Sequence, residues 1–284
     1  MKKVRNDSTI QAKANPLGTP TARCRHSVVA NLPKNDPKVL FGKEMREVFR
    51  ARPGRVMVGH DASGLEARVG GHWAYPYDGG VYAHDVLEGD WHSKNAREVY
   101  FPNQCQGLSD DDPKFKSYRS IGKGGSYCTM YGGQPPKLAE TLGIPLKEAK
   151  KIYEAFWEVN KGLGLLKDHL TKVWKRDGCI YTIDGRPIYP RKEGDLINYL
   201  NQSSGAIIMK RSAIILNKYV NMYNVDAIKV IDYHDEAQAD VHPSHADFYG
   251  KLAVKSIREA GKYYNMNVEL DSEYIIGNNW AECH

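Results

Sequence analysis

Two short acidic motifs lie far apart in the chain. The first is Gly59-His60-Asp61-Ala62-Ser63-Gly64-Leu65-Glu66-Ala67-Arg68. An apolar run, Val56-Met57-Val58, leads into it, and an amphipathic stretch from Leu65 to Trp73 leads out. The pattern reads as a buried strand that ends at Asp61, then a turn, then a helix with Glu66 in its first turns. The second motif is Tyr233-His234-Asp235-Glu236, between two β-prone runs. Magnesium prefers one or two carboxylates, with water and substrate phosphates completing its shell. Two such ions, about 3.5–4 Å apart, can activate an attacking hydroxyl and stabilise a leaving pyrophosphate. With Asp61 at a strand end and Asp235 at a hairpin tip, the two carboxylates could converge on one edge of a sheet. Taken singly, each is also an ordinary turn aspartate.

A third group is spaced for a helix. Arg119, Lys123, Tyr127 and Tyr131 recur every four residues, so they form one slowly drifting stripe. Two cations and two aromatics on one face suit a nucleoside triphosphate, the cations taking phosphates and Tyr127 lying against base or sugar. A solvated basic face beside a core aromatic stripe has the same pattern. Gly122, Gly124 and Gly125 share this helix, and each costs about 1 kcal/mol against alanine. They point to close approach of a partner or to a bend. Gly122-Lys123-Gly124-Gly125-Ser126 is not a P-loop, which needs G-x-x-x-x-G-K-[ST]. Further on, Asn198 and Gln202 share a helix face. Neutral amides there, with Arg23 and Asn31 upstream, can read minor-groove acceptors with little regard for sequence.

These groups need a scaffold, and the composition allows one. The chain has 284 residues, 41% hydrophobic and 26% charged, enough for one large domain or two small ones. No apolar run is long enough to span a membrane, and the basic N-terminus has no apolar segment behind it, so it is not a secretory signal. Cys24, Cys105, Cys128, Cys179 and Cys283 are scattered, odd in number and without C-x-x-C spacing. That argues for a reducing compartment and against structural zinc. The net charge of +6 permits nucleic-acid binding without requiring it.

Along the chain, residues 1–20 read as an arm and 41–50 as a helix, with Arg46, Arg50, Arg52 and Arg55 adding positive charge. Residues 76–80 read as a loop and 93–100 as a short helix. Ser109-Asp110-Asp111-Asp112-Pro113 is a helix start, followed by a helix over about 114–131. Helices are expected at about 145–160, 163–176, 196–223 and 244–263. Hairpins are expected around Asp184-Gly185 and His234-Asp235, and a last strand begins at Val268-Glu269-Leu270. Helices outnumber strands, and the strands read as a small antiparallel sheet.

Taken together, the motifs resemble family A DNA polymerases, the class of bacterial DNA polymerase one and of many podophage replicative polymerases, with the phage branch the more similar. Asp61 to Arg68 resembles motif A, Arg119 to Gly132 motif B, and His234-Asp235-Glu236 motif C. Thr21 to Pro33 resembles the primer–template segment, Asn198 with Gln202-Ser203-Ser204-Gly205-Ala206 the minor-groove helix, and Asn279-Trp280-Ala281 to His284 the terminus. The resemblance covers residues 9–284, and several motifs in order are more specific than any one. It implies an α+β fold: a polymerase palm, with a small antiparallel sheet backed by helices, and a helical fingers subdomain. The expected division is an arm at 1–20, palm at 21–75, fingers at 76–178 and palm again at 179–284.

The resemblance also implies roles. Asp61 and Asp235 would bind two magnesium ions, and Glu66 would exclude a 2′-hydroxyl. His92, Arg119 and Lys123 would hold the triphosphate, with Lys123 a candidate proton donor to pyrophosphate. Tyr127 would pack on the incoming nucleotide and Tyr131 would cap the template side. Arg23, Asn31, Arg186, Asn198 and Gln202 would touch primer–template DNA, while His234 and Glu236 would support the primer end. The implied activity is magnesium-dependent DNA synthesis from dNTPs in the cytoplasm, that of the host if the chain is phage-encoded. Two departures stand out. The Gly124-Gly125 pair is unusual for the fingers helix, and neither a thumb nor an exonuclease carboxylate set is expected, so a companion chain could supply both. The competing readings are an inactive remnant or structural half, and a single-subunit RNA polymerase, against which Glu66 and Tyr127 argue.

Overall fold

The computed structural model describes residues 4–16, 18–29, 32–33, 35 and 39–283. In chain order these form β1 (Ala14–Asn15), β2 (Arg25–His26), α1 (Gly42–Glu47), β3 (Val56–Ala62) and α2 (Leu65–Asp78). Next come α3 (Val81–Leu87), α4 (Trp91–Asn95) with a π-helical turn at Ala96–Tyr100, α5 (Pro113–Met130) and α6 (Pro135–Leu142). Then follow α7 (Leu146–Val159), α8 (Lys161–Asp177), β4 (Ile180–Tyr181), β5 (Pro187–Ile188) and α9 (Leu196–Met222). The chain closes with β6 (Ala227–Tyr233), β7 (Glu236–Val241), α10 (Ala246–Tyr263) and β8 (Ser272–Gly277). Among the described residues no helix is long and apolar enough to cross a membrane.

By packing, the chain divides into residues 1–65 with 203–284, and residues 66–202. These crossings fall inside α2 and α9. The first unit is built on an antiparallel sheet of order β6-β7-β3-β8. Side chains alternate across a strand, and the core follows that alternation. Val58, Ala239 and Val241 join Tyr249, Leu252 and Ala253 of α10 and Leu216 of α9 in one cluster. Met57 and Ile231 join Val29, Trp280 and Cys283 in another. Trp280 is fully buried, and truncating such a side chain costs about 3–5 kcal/mol.

The second unit is helical apart from the β4–β5 pair. Trp91, Tyr100, Met130, Leu138, Phe156, Leu163 and Leu200 belong to its core. Asp112 caps α5, accepting the Lys114 amide at 2.7 Å, with Pro113 in the first turn. The glycines of α5 face a resident side chain. A Cβ at Gly125 would lie 2.5 Å from the Tyr100 ring, and one at Gly122 would lie 3.3 Å from it. Gly122 and Gly125 therefore form the socket for Tyr100, while Gly124 has nothing nearer than Thr141 at 3.9 Å.

Two expectations are corrected, and two helices appear where none was expected. Residues 76–80 are not all loop: α2 runs through Pro76 to Asp78. A proline removes one N–H, but the Gly79 amide still closes on the Tyr75 carbonyl at 2.9 Å. Residues 81–87 and 135–142 form α3 and α6, each only about two turns long; α6 has Pro135 in its first turn and Gly143 in the left-handed region just after it. The last strand is Ser272–Gly277 rather than one beginning at Val268, and Val268 and Leu270 are buried outside any strand.

The socket yields a paired prediction. Gly125→Ala forces the Tyr100 ring to move and lowers stability by about 1–3 kcal/mol. Gly124→Ala, free of that clash, leaves the protein as stable or adds up to about 1 kcal/mol. Thermal unfolding of the two variants checks the difference, and equal shifts would refute the socket.

Candidate active site

The first unit brings the two acidic motifs together through strand pairing. β3 lies against β7 with Asp61 opposite Glu236, and the Ala62 amide donates to the Asp235 carbonyl at 3.0 Å. Asp61 and Asp235 thus sit at one end of the two central strands, not along an edge strand. Asp61 is exposed and Asp235 half-buried. Beyond them the backbone turns at Gly64, whose φ of +58° suits glycine. Ser272 Oγ donates to the Asp61 carbonyl at 2.7 Å and ties β8 to the same end. Among the described residues no cluster of three or more His, Cys, Asp or Glu could hold a metal. A pair of carboxylates fits an ion that keeps its waters and takes other ligands from phosphate.

The residues beside Asp235 diverge. His234 is exposed with φ +62°, a conformation costing a non-glycine residue about 1 kcal/mol. Its ring lies 5.7 Å from that of His26 and 4.8 Å from that of Tyr233. Glu236, expected to support the primer end, is 3% exposed. Its carboxylate accepts Trp280 Nε1 and, at 2.6 Å, Gln238 Nε2. Arg46, also buried, places Nη1 3.9 Å from Glu236 and its guanidinium 4.6 Å from the Trp280 ring centroid. The divergence follows from position: His234 sits in the turn between β6 and β7, with its backbone in the left-handed region, whereas Glu236 begins β7 and is buried.

The basic run before β3 is largely consumed within the unit. Arg52 pairs with Asp240 at 3.1 Å, and Arg55 pairs with both Asp240 and Asp226. Burial alone would raise the Asp240 pKa, but Arg52 and Arg55 outweigh it and hold the carboxyl below its ordinary range.

The second unit assembles the cationic stripe. Arg119, Lys123 and Tyr127 lie on α5, Tyr131 directly follows it, and His92 lies on α4. The His92 ring is 5.5 Å from Tyr127, which stacks on Tyr131 at 5.7 Å. Arg119 binds Asp90 through two hydrogen bonds of 2.6 and 3.0 Å. Burial, with Lys123 and Arg119 nearby, pushes the His92 pKa down to about 4, so this ring is neutral at pH 7. Tyr131, expected to cap the template side, donates its hydroxyl to Glu66 in the first turn of α2. Burial first, and Glu66 next, hold the Tyr131 pKa well above its ordinary value.

Of the remaining expected residues, Asn198 and Gln202 lie on α9, half-buried, and Asn198 Oδ1 is buried without a hydrogen-bond partner. Arg186 is exposed and paired with Asp184 at 2.7 Å. Arg23 is half-buried, and its carbonyl accepts the Thr19 hydroxyl. Asn31 and His284 lie outside the described residues. Sequence reasoning missed Asp90, Arg46 and Asn201, the last fully buried with both amide atoms unpartnered. Only Asp90 left a local signal, an acid just before Trp91-His92-Ser93 where a helix can begin.

Residues 1–282 match the family described as DNA polymerase family A. The DNA-directed DNA polymerase of Enterobacteria phage T3 is 27% identical over 313 residues, spanning 99% of this chain and 42% of the phage protein. That of Escherichia phage Phieco32 is 25% identical over 366 residues, spanning 99% and 56%. DNA polymerase I of Aquifex aeolicus is 26% identical over 249 residues, spanning 84% and 42%. The chain therefore spans about half the length of these relatives. It also shares the fold of the POL domain of Pol1 from M. smegmatis, solved in complex with DNA primer-template and dNTP. The TM-score is 0.85 at 22% identity, over 99% of this chain and 50% of that one.

Next to Asp61, His60 is buried, and that burial pushes its pKa down from 6.5 to about 4. Between those two pH values the unfolded chain takes up a proton that the folded chain refuses, so stability falls as pH drops through this window. The slope is at most about 1.4 kcal/mol per pH unit for one such group. Urea denaturation at pH 7 and pH 5 is expected to show the loss in wild type and a smaller one in His60→Leu. Equal losses in the two proteins would exclude His60 as a source.

Proposed function

The chain belongs to DNA polymerase family A, and from that premise we propose that it catalyses template-directed DNA synthesis from dNTPs. The reading rests on one observation above all: the strand carrying Asp61 pairs with the strand that follows Asp235. In it, Asp61 and Asp235 would hold magnesium, whose chemistry when bound would be Lewis acidity toward the primer 3′-hydroxyl and the departing pyrophosphate.

The other steps fall to the chain's own side chains. Lys123 and Arg119 bind the phosphates as charged donors, and His92, neutral at pH 7, contributes a ring N–H. Lys123 gives a proton to the leaving pyrophosphate. Tyr127 packs against the incoming nucleotide. The Glu66 carboxylate, held by Tyr131, occupies the space that a 2′-hydroxyl would need. Arg23, Asn31, Arg186, Asn198, Gln202 and His234 contact primer–template DNA. Glu236 acts one layer below, by fixing the hairpin that presents His234 and Asp235. Catalysis on this scheme is mostly positioning and electrostatics.

Primer extension with magnesium and dNTPs tests the scheme. Asp61→Ala and Asp235→Ala are each expected to lower the rate by on the order of 10³-fold. Glu66→Ala is expected to raise incorporation of ribonucleotides relative to deoxyribonucleotides. Undiminished extension by either aspartate variant would remove that residue from the catalytic pair. A wild-type preference for rNTPs would replace the assignment with RNA synthesis.

A further inference from the structure

One carboxylate in the second unit joins the two elements that carry the cationic cluster. Asp90 precedes α4. Its Oδ1 accepts the amides of His92 and Ser93, both at 3.1 Å, and its Oδ2 accepts the Ser93 hydroxyl at 2.7 Å. From α5, Arg119 adds Nε to Oδ2 at 2.6 Å and Nη2 to Oδ1 at 3.0 Å. The same group therefore sets the start of the helix that bears His92 and the direction of the Arg119 side chain.

The edge by which Arg119 is held matters. A guanidinium has five N–H groups in a fixed planar fork. Asp90 takes two of them, on the Nε–Nη2 side. The Nη1–Nη2 side remains, and that edge can bind phosphate oxygens in pairs. The pair is open to solvent, with Arg119 36% and Asp90 44% exposed, so an anion can reach it. Arginine loses much rotamer freedom when it is fixed, and a side chain already held spares the ligand that cost.

Charge alone predicts the opposite role. Asp90 is an anion beside the phosphate-binding cations, and it repels a triphosphate. If it merely neutralised Arg119, its removal would strengthen nucleotide binding.

Resting on the reading that Arg119 and His92 hold a nucleoside triphosphate, we infer that Asp90 is a positioning residue for the incoming nucleotide, acting through Arg119. Asp90→Asn isolates the role. Asparagine caps helices about as well as aspartate, so the bonds to His92 and Ser93 persist while the charge-assisted fork to Arg119 is lost. Primer extension is measured with increasing dNTP for wild type, Asp90→Asn, Arg119→Ala and the double variant. The expected result is a rise of about tenfold in the KM for dNTP in Asp90→Asn, what about 1.4 kcal/mol of lost binding gives. The value of kcat changes by less than about twofold, the pattern of lost uniform binding. In the Arg119→Ala background the same substitution adds nothing, since its partner is gone. Ser93→Ala, which trims the cap and leaves the fork, keeps the wild-type KM.

A KM that is unchanged or lower in Asp90→Asn overturns the inference. So does an equal effect in both arginine backgrounds, which would make Asp90 a cap alone. If Arg119→Ala itself leaves the KM for dNTP unchanged, the triphosphate reading falls first and the role of Asp90 with it. If Arg119→Ala raises KM while Asp90→Asn does not, only the inference about Asp90 falls.

Discussion

The register between β3 and β7 is the constraint on which the candidate site depends. Asp61 and Asp235 are far apart in sequence, and no local element could join them. They share one end of the sheet because Asp61 pairs with Glu236 and Met57 with Asp240, without interruption between. A slip of one residue would turn every side chain of β7 to the opposite face. Glu236 would then leave Trp280, and Arg46 would lose its buried counter-charge. Stranding one member of a buried ion pair costs about 3–5 kcal/mol, whereas the intact pair adds little net stability. The Arg46–Glu236–Trp280 group therefore acts mainly against wrong pairings. The hairpin tip is anchored on one side by that group, through Glu236 at the start of β7.

Charge is arranged with similar economy. A net charge of +6 describes the chain poorly as a binding surface. Much of the arginine before β3 is bound to Asp226 and Asp240, where it braces the sheet. His92 remains uncharged because burial strips its solvent and, to a lesser extent, Lys123 and Arg119 crowd it. A neutral ring adds no third positive charge to that pair before an anion arrives. A bound polyphosphate would reverse that field and favour the protonated ring.

The elements with strong local signals were legible from sequence: the strand into Asp61, the α5 start at Asp112-Pro113, the hairpin at His234-Asp235 and the long α9 helix. Residues 196–223 were expected helical and 196–222 are. What was not legible depends on partners distant in sequence. Nothing near Arg55 announces Asp226 or Asp240, and nothing near Gly125 announces Tyr100. His234, Asp235 and Glu236 form one linear motif, but two of them lie in a turn and the third begins a strand and is buried, a difference set by Trp280 and Gln238. Trp280 was noticed only as part of a terminal motif; its work is to hold Glu236 inside.

The contact between Tyr131 and Glu66 bears on how a sugar filter could operate. A carboxylate on the first turn of a helix has several rotamers, and a mobile group makes a poor steric wall. Here the hydroxyl of Tyr131 takes hold of it, and Tyr131 is itself stacked on Tyr127. The chain of contacts runs from Tyr127, through Tyr131, to Glu66. Tilting α5 would therefore move both the Tyr127 ring and the tether of Glu66. Under the proposed function, packing of the base and exclusion of the 2′-hydroxyl are mechanically one event, because the same helix end governs both.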